Sequence, residues 1–232
     1  MLLAELEVFH SRPIAPTRRV ALGAAVLPTA PAPGFGGLLL AGIASHFVDD
    51  VDPDLLDELD RLSHQVEAGR RIPQPRLRHR FQEDRVGLTK VRHRLVGSGE
   101  ALRFEIDERG SAEPNVLATV YAAGRLPDDV RPAVFAALRR GLRWRGVLGP
   151  SFVDHITGSR GAEGWSALGG HDPVPWALGV LGLVGHERDR LAVQARFRQL
   201  LRDAHPDHGG DAREAAARIR ELTEARRILL RG

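Results

Sequence analysis

His205-Pro206-Asp207-His208-Gly209-Gly210-Asp211 is the stretch of this chain whose residue types and spacing could do chemistry. By ligand type, its imidazoles and carboxylates could hold a cation. The loop is short and open, however, which argues against a metal site, and Pro and Asp are also common in plain turns between helices. Pro206 has no amide hydrogen and biases His205 away from helical geometry. A helix arriving from the N-terminal side therefore ends there, and His205 and Asp207 turn outward on a constrained loop. A second acidic group, Asp49, Asp50, Asp52 and Asp54, is better read as the solvated entry to a helix than as a cation site. A run of basic residues follows: Arg70, Arg71, Arg76, Arg78, Arg80, Arg85, Lys90, Arg92 and Arg94. A nucleic-acid groove needs stacking platforms among its cations. Only Phe81 is interleaved here, and Glu83 and Asp84 interrupt the run, so a solvated or partner-facing sheet surface is expected instead. His46, His64, His79, His93 and His155 form no constellation with Ser or Asp, and no Gly-rich loop joins a strand to a helix. No catalytic residue, metal ligand or cofactor is therefore assigned, and the chain is not read as an enzyme.

The elements around the His-Pro-Asp stretch are helical. Trp176–Leu181 is short and apolar and ends at Gly182. About Arg188–Ala204, the residues Leu191, Val193, Phe197, Leu200 and Leu201 are expected on one broad face, with Arg190, Arg196, Arg198 and Arg202 mostly outside it. About Ala212–Leu230, the residues Ile219, Leu222, Ala225 and Leu229 recur at helical spacing. Two such helices with a short connection pack as an antiparallel hairpin, and the first helix covers the open side of their seam.

In this register the His-Pro-Asp tripeptide resembles that of J-domains, the DnaJ-like co-chaperones. Val180-Leu181-Gly182-Leu183 is similar to the Leu-Gly signature that closes the family's first helix. Phe197 and Leu200 stand where its second helix has an aromatic residue and a core leucine, and Glu224-Ala225 matches its Glu-Ala pair. The resemblance covers 172–232, about a quarter of the chain. It implies that the protein stimulates ATP hydrolysis by a DnaK-type chaperone. His205, Pro206 and Asp207, with Arg198, Arg202 and Arg196 of the second helix, would form the chaperone-binding surface. The nucleotide, the metal and the attacking water would all belong to the partner. The basic cluster is thinner than the family's, with Gln194 and Gln199 at two of its positions and Asp203 nearby. Aromatic residues that brace the family's helices are missing at Ala204 and Arg226. Neither a Gly/Phe-rich region nor a cysteine-rich zinc domain is present, so the chain is similar to J-proteins whose other domain sets where they work.

Residues 1–156 read as an α+β domain with antiparallel strands and two or more helices, recruiting a client or a location. Leu6–Phe9 and Val20–Leu27 are expected strands, the second buried on both faces, while Leu38–Phe47 fits a helix or a buried strand equally well. Asp52 caps a helix that begins at Pro53, carries Leu55, Leu59, Leu62 and Val66, and stops at Gly69. Val86–Val96 is expected to be extended, Leu102–Ile106 alternates as a half-buried strand, and Val116–Ala122 is a further strand, together an antiparallel meander. Asp128–Gly146 is a helix with Val130, Val134, Ala137, Leu138 and Leu142 on one face. Gly158, Gly161, Gly164, Gly169 and Gly170 mark a linker at 157–171, ahead of the all-α J-domain at 172–232.

Composition sets the remaining expectations. Hydrophobic residues make up 43% and charged residues 27%, as in ordinary globular proteins. The net charge is only +3, although the pI is near 10.3 because the cations are almost all arginine. That balance is no nucleic-acid signature. No run reaches the roughly 18 apolar residues of a membrane span. The first residues carry Glu5 and Glu7 where a signal peptide carries basic ones. With no cysteine there is no disulfide or thiolate chemistry. A cytoplasmic location without membrane contact is expected.

Overall fold

The computed structural model describes residues 1–12, 14–15, 18–98, 101–158, 173–183, 189–204 and 212–230. The chain divides into two compact units, Met1–Gly97 with Arg103–Trp144, and Ser98–Leu102 with Arg145–Gly232. Its class is α+β, with one five-stranded mixed sheet and, among the described residues, eight α-helices.

The sheet is built on β1 (Leu2–His10). Antiparallel to it run β2 (Arg19–Val26) on one side and β4 (Thr89–Ser98) on the other. β3 (Arg80–Phe81) adds to β2, β5 (Ala101–Glu105) adds to β4, and the order is β3-β2-β1-β4-β5. β3 is parallel to β2, so the expectation of purely antiparallel strands is corrected to a mixed sheet.

Register follows from alternation. Leu6 and Val8 of β1 and Val91, His93 and Leu95 of β4 are buried, whereas Glu5 and Glu7 lie directly opposite Arg94 and Arg92. Opposite charges facing each other across strands favour this pairing, and a slip of one residue would place carboxylates among the apolar set. The Met1 ammonium donates to the Gly97 carbonyl at 2.6 Å and pins the end of the pair. In β2 only the first half is buried. β3 pairs with Arg19 and Val20 alone, and Ala24, Ala25 and Val26 are exposed, which corrects the expected burial on both faces.

Leu38–Phe47 proves helical, within α1 (Gly34–Phe47), which is buried on nearly every side. α2 (Leu56–Glu67) begins as expected at Asp52, whose Oδ1 accepts the Asp54 amide at 3.1 Å, but its first turn, Pro53–Leu55, is a 3-10 helix. Gly69, at φ +65°, follows the helix in the left-handed conformation that glycine tolerates.

Val116–Ala122 is not a strand. It lies in α3 (Ala112–Gly124), in which every residue from Pro114 to Ala123 is buried. A helix buried all round has no polar stripe to betray its period, and short apolar runs of this kind read equally as strands. Pro114 sits in the first turn, where no intrahelical amide is needed. The expected meander is thus reduced to β4 and β5.

α4 (Arg131–Arg143) buries Val134, Phe135, Ala137, Leu138 and Gly141. α1 and α3 pack on the sheet, α4 packs on α1 and α3, and α2 packs on α3 and α4. A Cβ on Gly141 would come within 2.4 Å of the Ala41 carbonyl oxygen, so the missing side chain lets α4 lie against the backbone of α1.

The second unit contains α5 (Pro150–Thr157), α6 (Pro173–Leu181), α7 (Arg190–Asp203) and α8 (Ala212–Leu230). Within α5, Phe152, Val153 and Ile156 are buried. α8 packs on both α6 and α7. The linker expected at 157–171 lies outside the described residues from 159 onward. Among the described residues, no helix is long and apolar enough to cross a membrane.

Candidate functional site

The three helices α6, α7 and α8 share one buried cluster: Ala177 and Leu181 from α6, Val193 and Phe197 from α7, and Leu222, Ala225 and Leu229 from α8. Ile219 is only half-buried. Leu191, expected on the same face, is 73% exposed. Two residues along a helix is a rotation of about 200°, which sets Leu191 opposite the buried Val193.

Local signals set the helix ends. Asp189 Oδ1 accepts the Leu191 amide at 3.0 Å and caps α7. After α6, Gly182 takes φ +61°, and the Leu183 amide donates to the Leu178 carbonyl at 2.9 Å, the Schellman closure that a left-handed glycine permits.

His205, Pro206 and Asp207 lie outside the described residues, in the seven-residue stretch 205–211. The arginines expected beside them separate into two groups. Arg198 and Arg202 are exposed, one turn apart, and Arg190 is exposed two turns earlier, with Gln194 between it and Arg198. This winding stripe leads along α7 to its C-terminal end, where a cation such as Arg202 also complements the helix dipole. Arg196 belongs elsewhere. Its Nε donates to the Leu181 carbonyl at 2.9 Å and its guanidinium also donates to Gln199 Oε1 at 2.9 Å, so it ties α7 to the end of α6.

On α8 the Arg226 guanidinium lies over the Phe197 ring, 4.9 Å from its centroid. Arg227 donates to Ser151 Oγ and joins α8 to α5.

In the first unit the basic run is largely paired. Arg76 donates to Gln65 Oε1 at 2.7 Å and lies 3.5 Å from Glu58, and Arg78 pairs with Asp52 at 3.1 Å. Lys90 and Arg92 both meet Glu7, and Arg94 meets Glu5 at 2.6 Å. Burial raises the Glu7 pKa, but Lys90, Arg92 and the Ala24 amide outweigh it and hold the carboxyl near 2. Asp52 is occupied as a helix cap and by Arg78. Among the described residues no group of three or more His, Asp or Glu side chains is placed to hold a metal ion.

Four histidines of the first unit, by contrast, come near one another. His93 is fully buried, and its surroundings include His46 and His10, while His79 has His10 and Glu113 nearby. His93 Nε2 is 3.0 Å from Asn115 Oδ1, the Asn115 amide donates to the Ser111 carbonyl at 3.0 Å, and the Asp107 amide donates to His93 Nδ1 at 3.3 Å. Sequence reading missed this arrangement because its members are far apart in the chain. The available signal was His93 at an inward position between Val91 and Leu95.

Among family models, curated proteins and solved structures, none matches the chain.

Proposed function

We propose that this protein is a J-domain co-chaperone that stimulates ATP hydrolysis by a DnaK-type partner, working in the cytoplasm, with its N-terminal α+β unit recruiting a client or a location. The observation that carries this reading is the exposed Arg190, Arg198 and Arg202 stripe on α7, the helix that runs in sequence into His205-Pro206-Asp207. The core that α6, α7 and α8 share supports it by giving that stripe a rigid support. In this reading the arginines steer an acidic surface of the partner to the loop. His205 and Asp207 then bind more tightly to the hydrolysis-competent state, shifting the partner between its two conformations. In this reading the nucleotide, the metal and the attacking water belong to the partner. The test is single-turnover ATP hydrolysis by the cognate DnaK-type protein. The intact chain accelerates it, and His205→Gln abolishes the acceleration while leaving the circular dichroism unchanged. Absence of stimulation by the intact chain overturns the proposal.

A second reading, a module that docks without stimulating, is favoured by one feature. Arg196 is committed to the Leu181 carbonyl, which leaves fewer free cations on α7. Binding that survives Asp207→Asn together with flat ATPase kinetics would select it.

A further inference from the structure

His93 joins three parts of the first unit. It projects from β4, receives the Asp107 amide from the segment that follows β5, and reaches Asn115 in the first turns of α3. The Asn115 amide group donates to the Ser111 carbonyl, which turns Oδ1 toward the imidazole. An amide oxygen only accepts, so His93 Nε2 carries the hydrogen. Nδ1 is then the bare nitrogen, and it accepts the Asp107 amide. The relay runs Asp107 N–H to Nδ1, Nε2–H to Asn115 Oδ1, and Asn115 N–H to Ser111 O. It is satisfied at every step only while the ring is neutral.

We propose that His93 is a proton-operated latch for the segment 106–111, closed by the neutral ring and opened by protonation at Nδ1. A proton on Nδ1 faces the Asp107 amide hydrogen, and two donors cannot share one bond. The groups facing the ring do not absorb the change. From α1 come His46 and the Phe47 ring, whose centroid is 5.8 Å from that of His93 at an angle of 72°. From β1 comes His10, itself buried with Nε2 unpartnered, and from α3 comes the neutral Asn115. The carboxylate that acts on the ring, Asp107, is held by Arg109 through Nε at 2.9 Å and a terminal nitrogen at 2.6 Å, and its Oδ1 also accepts the Arg109 amide at 3.1 Å. For Asp107 to turn its carboxylate to a charged His93, it must leave Arg109 and withdraw its amide, so this route also opens the latch. Beyond it, Glu108 lies 3.5 Å from His46, and Asp50 is near the same ring. Burial dominates the ring's titration and pushes its pKa down to about 4, so the latch stays closed at neutral pH.

The test is nuclear magnetic resonance on the full-length labelled chain. At neutral pH the His93 nitrogen signals should show the Nε2–H tautomer. As His93 titrates, protection of the Asp107 amide against hydrogen exchange should fall roughly tenfold beyond the intrinsic pH effect, the scale of one net hydrogen bond. Protection at Leu6 and Val8 in β1 should follow only the global stability of the first unit, and the loss at Asp107 should exceed it. His93→Asn places a non-titrating oxygen near the Nδ1 position and should keep Asp107 protection independent of pH. An Nδ1–H tautomer, constant Asp107 protection through the titration, a loss at Leu6 and Val8 equal to that at Asp107, or an unchanged pH response in His93→Asn each overturns the proposal. Should that variant not fold, the wild-type tautomer and the paired titration still decide.

Discussion

The Arg226 guanidinium lies over the Phe197 ring, 4.9 Å from its centroid, bridging α8 and α7. A cation–π pair at an exposed arginine contributes about 0.5–1 kcal/mol. Arg226→Ala should therefore raise the exchange rates of α7 and α8 amides by a few-fold. Phe197, only 8% exposed within the cluster, should cost about 3–5 kcal/mol when replaced by Ala. Equal effects from the two substitutions would contradict this assignment of roles.

Arg196 differs from its neighbours in kind. Because it bonds the Leu181 carbonyl, Arg196→Ala should weaken the junction of α6 and α7, detectable as faster exchange near Leu183. Arg198 and Arg202 are exposed, so replacing both with Ala should leave that junction intact. If the proposed co-chaperone role holds, the double variant should also slow association with the DnaK-type partner several-fold and flatten its dependence on salt. Surface plasmon resonance across a salt series separates the two kinds of arginine.

Gly141 is the point where α4 approaches the backbone of α1. The Ala41 carbonyl oxygen would be 2.4 Å from an added Cβ, and backbone does not give way as a side-chain end does. Gly141→Ala should destabilise the first unit by about 1–3 kcal/mol through overpacking, despite alanine's better helix propensity. Urea denaturation of the full chain measures this, and a gain in stability would contradict the close approach.

Legibility in the sequence followed exposure. α2 was readable because Leu59 and Leu62 are buried while polar residues fill the opposite side, and because Asp52 and Gly69 mark its ends. Of β1 only Leu6–Phe9 was readable, within a strand that runs from Leu2 to His10, and Val86–Val96 was legible as extended although its polar residues do not alternate cleanly. α3 was misread as a strand because nothing along Pro114–Ala123 faces water, which removes the periodic signal. β3 pairs through two residues, too few for any pattern. The helices around His205-Pro206-Asp207 were placed closely, yet the commitment of Arg196 to Leu181 was invisible, since it depends on how α7 turns toward α6. The meeting of His93 with Asn115 and Asp107 likewise depends on long-range register, not on local spacing.

Acid should act on the first unit in two stages. The unfolded His93 imidazole takes up its proton near 6.5, whereas burial delays the folded one to about 4. Between these values the unfolded state binds more protons, so stability falls as pH drops through the window and then levels for this group. For a fully buried ring the loss is about 3 kcal/mol. His79 and His46, both lowered chiefly by burial, act in the same direction. Glu7 governs the second stage. Although burial opposes its ionisation, Lys90, Arg92 and the Ala24 amide hold its pKa near 2 against an ordinary 4.5. Its contribution is complete above 4.5 and is lost as pH falls toward 2. Urea midpoints measured at intervals of pH should therefore decline first across the imidazole window and again across the carboxylate window. His93→Asn should remove part of the first decline alone, and Glu7→Gln part of the second. A stability that stays level from neutral pH down to 4.5 would mean that these imidazoles are not buried in the neutral form.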